Sequence, residues 1–163
     1  MPTLNNFSFQ QSPGGTLQPA PKTLMSAGPI IQVQFEVPTA LASILQKNNI
    51  PIPSPIEGAA LIDTGATLTS IDVGILTRLG INPVGVANVG TAGGPQRQSI
   101  YPARITFPGT ALPGFELHHV MGCNLKGQTV KDQMPLCALI GRDVLSRAVF
   151  VYNGSAGMFS ISF

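Results

Sequence analysis

At 163 residues the chain has the size of one domain built around one hydrophobic core. Only 10% of its residues are charged, the net charge is +2, Trp is absent and aromatics reach 6%. There is therefore no basic stripe to follow a phosphate backbone and few rings to stack on bases, so nucleic acid is not an expected partner. With 18 Gly, 15 Pro and a mean hydropathy of +0.28, the composition favours a turn-rich β protein over a helical bundle.

No apolar run approaches the roughly 18 residues that cross a bilayer. The N-terminus has neither the basic start nor the apolar stretch of an export signal. A soluble chain is expected, with the cytoplasm favoured as its compartment. Cys123 and Cys137 are too few for a disulfide scaffold and read as free thiols, Cys137 packing as a small apolar residue. One disulfide joining the Cys123 loop to the final strand pair is the contrary reading.

Residues 1–28 show no sustained period and read as an extended or disordered arm, in which Phe7 and Phe9 alternate with polar residues as a short docking strand would. Ile30 to Val37 alternates apolar and polar and predicts a half-buried strand that Pro38 ends. Thr39 is a candidate cap for a helix through about Lys47, because Leu41, Ile44 and Leu45 share one face and Asn48-Asn49 offers a stop. Pro51 to Pro55 is a rigid connector.

Gly58 to Ile62 predicts a buried strand that breaks at Asp63-Thr64-Gly65-Ala66, and Leu68 to Ile71 leads away from it. A lone carboxylate where a buried strand meets a tight turn is costly. The cost becomes tolerable if Thr64 and the Gly65 amide hydrogen-bond the acid and a second carboxylate shares one proton with it. Asp72 lacks that glycine turn and reads instead as the N-cap of a helix from Val73 to Leu79, closed by Gly80.

Residues 84–107 predict a hairpin with Gly90-Thr91-Ala92-Gly93-Gly94 at its tip. Pro108-Gly109 and Pro113-Gly114 are turns, Phe115 to Met121 a candidate strand, and Gly122 to Met134 a long polar loop. Ala138-Leu139-Ile140 is an apolar run that ends at Gly141-Arg142-Asp143. Ala148 to Tyr152 and Met158 to Phe163 predict a last hairpin around Asn153-Gly154.

The Asp63-Thr64-Gly65-Ala66 turn, with Leu139-Ile140-Gly141-Arg142-Asp143 near the end of the chain, resembles the retropepsins, the retroviral-type aspartic proteases, and most nearly their bacterial single-domain relatives. In that family the second segment packs beside the catalytic loop and opens a short helix. The resemblance covers roughly residues 28–163. It implies an all-β, acid-protease type closed barrel with one or two short helices, a flexible or strand-exchanging arm over 1–28 and a protease domain over 29–163. It also implies a homodimeric endopeptidase acting on peptide or protein substrates, with Asp63 of each subunit at the two-fold axis. Thr64, Gly65 and Ala66 would form the active loop, Gly90, Thr91, Ala92, Gly93 and Gly94 the flap, and Leu139, Ile140, Gly141, Arg142 and Asp143 the support. No metal or organic cofactor is implied.

Two departures follow from the same comparison. Retroviral enzymes pair the Arg with an acid two residues beyond Asp-Thr-Gly, where this chain has Thr67, so Arg142 needs another partner. Ala66 replaces the hydroxyl residue of pepsin-like enzymes, which predicts an acidic pH optimum milder than pepsin's. The resemblance further implies that C-terminal strands of two subunits share a sheet, with Phe159, Ile161 and Phe163 as one apolar face of the interface.

Rival readings are weaker. His118-His119 would point to opposite faces of a strand and lacks further ligands at metal spacing. No serine or cysteine nucleophile signature is present. A non-catalytic peptide-binding or dimerisation module of the same fold keeps the motifs without turnover, and a self-processing domain of a longer polyprotein keeps the chemistry.

Overall fold

The computed structural model describes residues 1–91, 94–130 and 133–163 and is mostly β. The first elements are β1 (Thr3–Phe7), β2 (Phe9–Gln11), β3 (Leu17–Pro19) and α1 (Pro21–Ala27). They lead into β4 (Ile30–Glu36), α2 (Thr39–Lys47), β5 (Ile56–Ile62), β6 (Ser70–Asp72) and α3 (Val73–Arg78). A long hairpin, β7 (Gly85–Thr91) and β8 (Gly94–Thr106), precedes β9 (Phe115–Cys123) and β10 (Leu136–Ile140). The chain ends with α4 (Arg142–Leu145), β11 (Val149–Asn153) and β12 (Met158–Ser162).

Alternation drives the barrel. Ile31, Val33 and Phe35 of β4 are buried, while Gln32 between them is exposed, so one strand face supplies core and the other meets solvent. Strands run in the order β4-β5-β10-β6-β9-β8, and a β8–β4 pairing closes the ring. The closed barrel leaves no free edge among those six strands. Its interior holds Phe35, Ile71, Leu76, Leu79, Ile105, Val120 and Ile140. Each such side chain contributes roughly 1.5–3 kcal/mol on burial. A second sheet, β1-β12-β11, packs Phe159 and Ile161 into the same core.

One connection positions the site. The chain leaves β5 at Ile62 and returns as β6, but these strands are not neighbours: β10 runs between them, parallel to β5 and antiparallel to β6. The 63–69 loop therefore spans the end of β10, which is where Gly141 begins the turn into α4.

Four local expectations need correction. Residues 1–28, which carry no period, fold against the barrel: β1 pairs with β12, and Ala20 and Leu24 are almost fully buried. Thr39 is the first residue of α2 rather than its cap. Its hydroxyl and backbone N–H both donate to the Glu116 carboxylate from β9, so a distant acid satisfies the helix start in place of a local cap. His118 and His119 would take opposite faces of a regular strand, but the strand is irregular there: Pro102 alone opposes both of them between the Tyr101–Val120 and Ala103–Leu117 pairs. This bulge leaves both histidines exposed. Finally, Phe159 and Ile161 face the chain's own core, and Phe163 packs on Phe107 and Phe115 at ring-centroid distances of 6.2 and 4.8 Å. That face is therefore consumed within the subunit.

The other turn signals hold. Asp72 caps α3 by accepting from Gly74 N at 2.8 Å, and Gly80 follows the helix with φ +67. The last hairpin turns through residues 154–157, with Asn153 Oδ1 accepting from Ala156 N at 3.0 Å.

Candidate active site

Asp63 stands where β5 ends. Its N–H donates to the Ile140 carbonyl at 2.9 Å, and its Oδ1 accepts from Gly65 N at 2.8 Å and Ala66 N at 3.3 Å. The two turn amides thus hold one carboxylate oxygen, the geometry that an Asx turn gives an acid. Thr64 does not bond the acid as the sequence suggested. It is exposed at the tip of the turn, and its carbonyl accepts from Arg142 instead. Asp63 is half-buried, and its Oδ2 has no hydrogen-bond partner among the described residues. That oxygen is left for solvent or a ligand.

The Gly141-Arg142-Asp143 segment grips the loop with both polarities. Arg142 Nη1 donates to the carbonyls of Thr64 at 2.7 Å and Gly65 at 3.1 Å, and Nη2 to Thr67 Oγ1 at 3.0 Å. The hydroxyl of Thr67 and two carbonyls thus take the place of the missing carboxylate. The backbone N–H groups of Arg142 and Asp143 donate to the carbonyls of Ala66 and Thr67 at 2.9 and 3.2 Å. Asp143 supplies the acceptors: Thr69 N lies 3.0 Å from each carboxylate oxygen, and Thr69 Oγ1 lies 2.8 Å from Oδ1. The planar guanidinium suits this spread of acceptors, which a single ammonium could not reach together.

A cleft of about 740 Å³ opens over the loop. Asp63, Gly65 and Ala66 form one wall, and Ala87, Asn88, Val89 and Gly90 of the β7–β8 hairpin form the opposite one. Leu68, Met121 and Leu139 add apolar surface, and Ser70, Gln98 and Cys123 complete the lining. Among the described lining residues Asp63 is the only Asp, Glu, Lys, Arg or His. Of the five expected tip residues, Gly90 lines the cleft, Thr91 and Gly94 pair at the hairpin end, and Ala92 and Gly93 lie outside the described residues.

Solved structures of similar fold exist. One of them is a retropepsin-like aspartic protease from Rickettsia conorii, 12% identical, with a TM-score of 0.48 and coverage of 98% of this chain and 90% of that one. No protein-family model and no curated protein matches the sequence.

The site residues that sequence reasoning missed lie on the strands around the loop. Asn88, Gln98, Ser70 and Met121 carry no motif, and their place in the cleft depends on which strands the barrel makes neighbours. Thr69, the one fully buried polar residue among those described, follows Leu68 in a short apolar stretch and looks like an ordinary strand residue.

The thiols are free. Burial pushes the Cys123 thiol up to about 12, with the negative charge of Asp72 adding to the shift. Cys137 is raised chiefly by burial as well. Neither is poised as a nucleophile. Among the described residues no three His, Cys, Asp or Glu side chains gather as a metal site, and no helix is long and apolar enough to cross a membrane.

Proposed function

We propose that the chain is an aspartic endopeptidase that works as a homodimer. The observation that carries this reading is the Asp63 carboxylate, fixed through one oxygen by turn amides and open through the other, in a cleft roofed by a hairpin.

The chemistry needs two carboxylates and the chain supplies one such loop, so a second copy must bring the other across a two-fold axis. Two acids about 3 Å apart cannot both ionise and hold one proton between them. The ionised member takes a proton from the attacking water, and the protonated member donates to the peptide carbonyl oxygen and later assists the leaving amine. The substrate lies extended, its backbone paired beneath the 85–91 strand and its side chains alternating into the apolar lining.

The surface we assign to the second copy is the open edge of β11. Among the described residues this strand pairs with β12 alone; it carries no charge or proline to protect its edge, and it exposes Val149, Val151 and Tyr152. It begins four residues after α4, the helix that locks the Asp63 loop, so the edge and the loop are tied together through one short segment.

The test is cleavage of an unbiased peptide mixture by the chain and by Asp63→Asn from acidic to neutral pH, with pepstatin as a probe. Cleavage abolished in the variant supports the reading. Peptide binding without any product, in a sample shown to be dimeric, overturns it in favour of a non-catalytic module of the same fold.

A further inference from the structure

Resting on the reading of Asp63 as the catalytic acid, we propose that Thr69 is a positioning residue that fixes the Asp63 backbone through the Ile140–Gly141 peptide group, with Asp143 as the anchor. The Asp63 N–H donates to the Ile140 carbonyl at 2.9 Å. On the other end of that same peptide group, the Gly141 N–H donates to Thr69 Oγ1 at 3.1 Å. This oxygen accepts from Gly141, and since a carboxylate has no hydrogen to give, the hydroxyl's own hydrogen is donated to Asp143 Oδ1 at 2.8 Å. Four groups thus stand in one file with every donor pointing toward the Asp143 carboxylate.

Hydrogen bonds aligned in this way polarise one another, and they do so most strongly out of water. Thr69 is 0% exposed, and Gly141 is buried. A valine at position 69 would keep the shape of threonine but leave the Gly141 N–H without its acceptor, a buried donor that costs more than the bond was worth. The peptide group would then tilt to find another partner, and its other end holds Asp63. The Asp143 carboxylate keeps its bonds to Thr69 N and Val144 N, so the loss is confined to the file itself.

The experiment compares Thr69→Val, Thr69→Ser and the parent chain in two readouts. Native-state amide exchange follows the Asp63 and Gly141 N–H groups, with the Val33 amide of the core as internal control. Thr69→Val is expected to expose both site amides at least about tenfold more than it exposes Val33. Thr69→Ser, which keeps the hydroxyl, restores their protection. In cleavage, Thr69→Val is expected to lower kcat by about 100-fold with KM changed little, as misplacement of a reacting group does; Thr69→Ser recovers most of the rate. Unchanged protection at Asp63, or equal loss at Asp63 and Val33, overturns the proposal, the second result making Thr69 a general stabiliser. If Thr69→Val does not fold, Thr69→Ala, which also removes the hydroxyl, takes its place under the same criteria. If the parent chain cleaves nothing, the proteolytic reading falls, and the exchange comparison alone decides whether Thr69 holds Asp63.

Discussion

A Cβ on Gly141 would lie 2.6 Å from the carbonyl carbon of Leu68 and 2.8 Å from its oxygen. Gly141 has φ −89, which any residue adopts, so the requirement for glycine here is space rather than conformational freedom. The two loops meet backbone to backbone, and neither can retreat without breaking bonds to the other. Gly141→Ala is expected to destabilise the chain by about 3 kcal/mol, the upper range for overpacking a closed site. At this chain size that lowers Tm by about 6–12 °C. Thermal unfolding followed by circular dichroism checks it, and a loss under about 2 °C would show that the loops part easily.

Arg142 offers a second test of the same junction. Lysine keeps the charge but cannot reach the carbonyls of Thr64 and Gly65 and the Thr67 hydroxyl together. Arg142→Lys is expected to stay folded and to lose about tenfold or more in kcat/KM, because the loop that carries Asp63 gains freedom. Full activity in the lysine variant would mean that charge alone suffices.

Much of this architecture was legible in the chain. The alternation of Ile31, Val33 and Phe35, the stop at Pro38, the Asp72 cap and Gly80 are local signals, and each element stands where its signal lies. What was not legible depends on partners distant in sequence. Glu116 reaches the start of α2 across 77 positions, so Thr39 looked like a cap. Leu24 is buried by the barrel rather than by any period of its own segment. The inward face of Phe159 and Ile161 follows from which side of β12 the barrel occupies, and strand alternation alone cannot choose it. Asp63 stood out because a carboxylate in an apolar strand demands an explanation, whereas Thr69 demands none until its bonds to Gly141 and Asp143 are seen.

Acid stability tests the Glu116 contacts. Burial alone would raise the Glu116 carboxyl, but the hydroxyl and N–H of Thr39 and the Arg104 guanidinium outweigh it and hold the acid below its ordinary range. A depressed acid contributes stability that is full above the unfolded value and is lost as pH falls through the folded one. The urea midpoint of the parent chain should therefore exceed that of Glu116→Gln at pH 7 and converge toward it below about pH 4.5. Parallel curves from pH 7 to pH 3 would remove Glu116 from the acid response.

Cys123 is a chemical probe of the cleft. With its thiol pushed from 9.0 to about 12, the thiolate fraction at pH 8 falls about a thousandfold below that of an unperturbed thiol. Alkylation by iodoacetamide is expected to be slow in the native chain, by somewhat less than that factor because a more basic thiolate is the better nucleophile, and to become rapid in urea. Fast native labelling at position 123, mapped by mass spectrometry, would place the thiol in a wetter setting than its burial against Asp72 implies.

The β11 edge offers a test of the proposed assembly. A charge in the middle of an unpaired edge is a standard block to strand addition, and Val151 is 47% exposed and central in β11. Val151→Lys leaves the barrel, the Asp63 turn and the Arg142 grip untouched, since none of their contacts involves position 151. If the second copy docks along this edge, the variant sediments as a monomer at concentrations where the parent chain is a dimer, and cleavage falls with it. Raising protein concentration should then recover rate in the variant, because on the proposed reading an active centre is built from two subunits. A variant that remains dimeric and active would move the interface to the other edge of the small sheet, where β1 lies open beside β12.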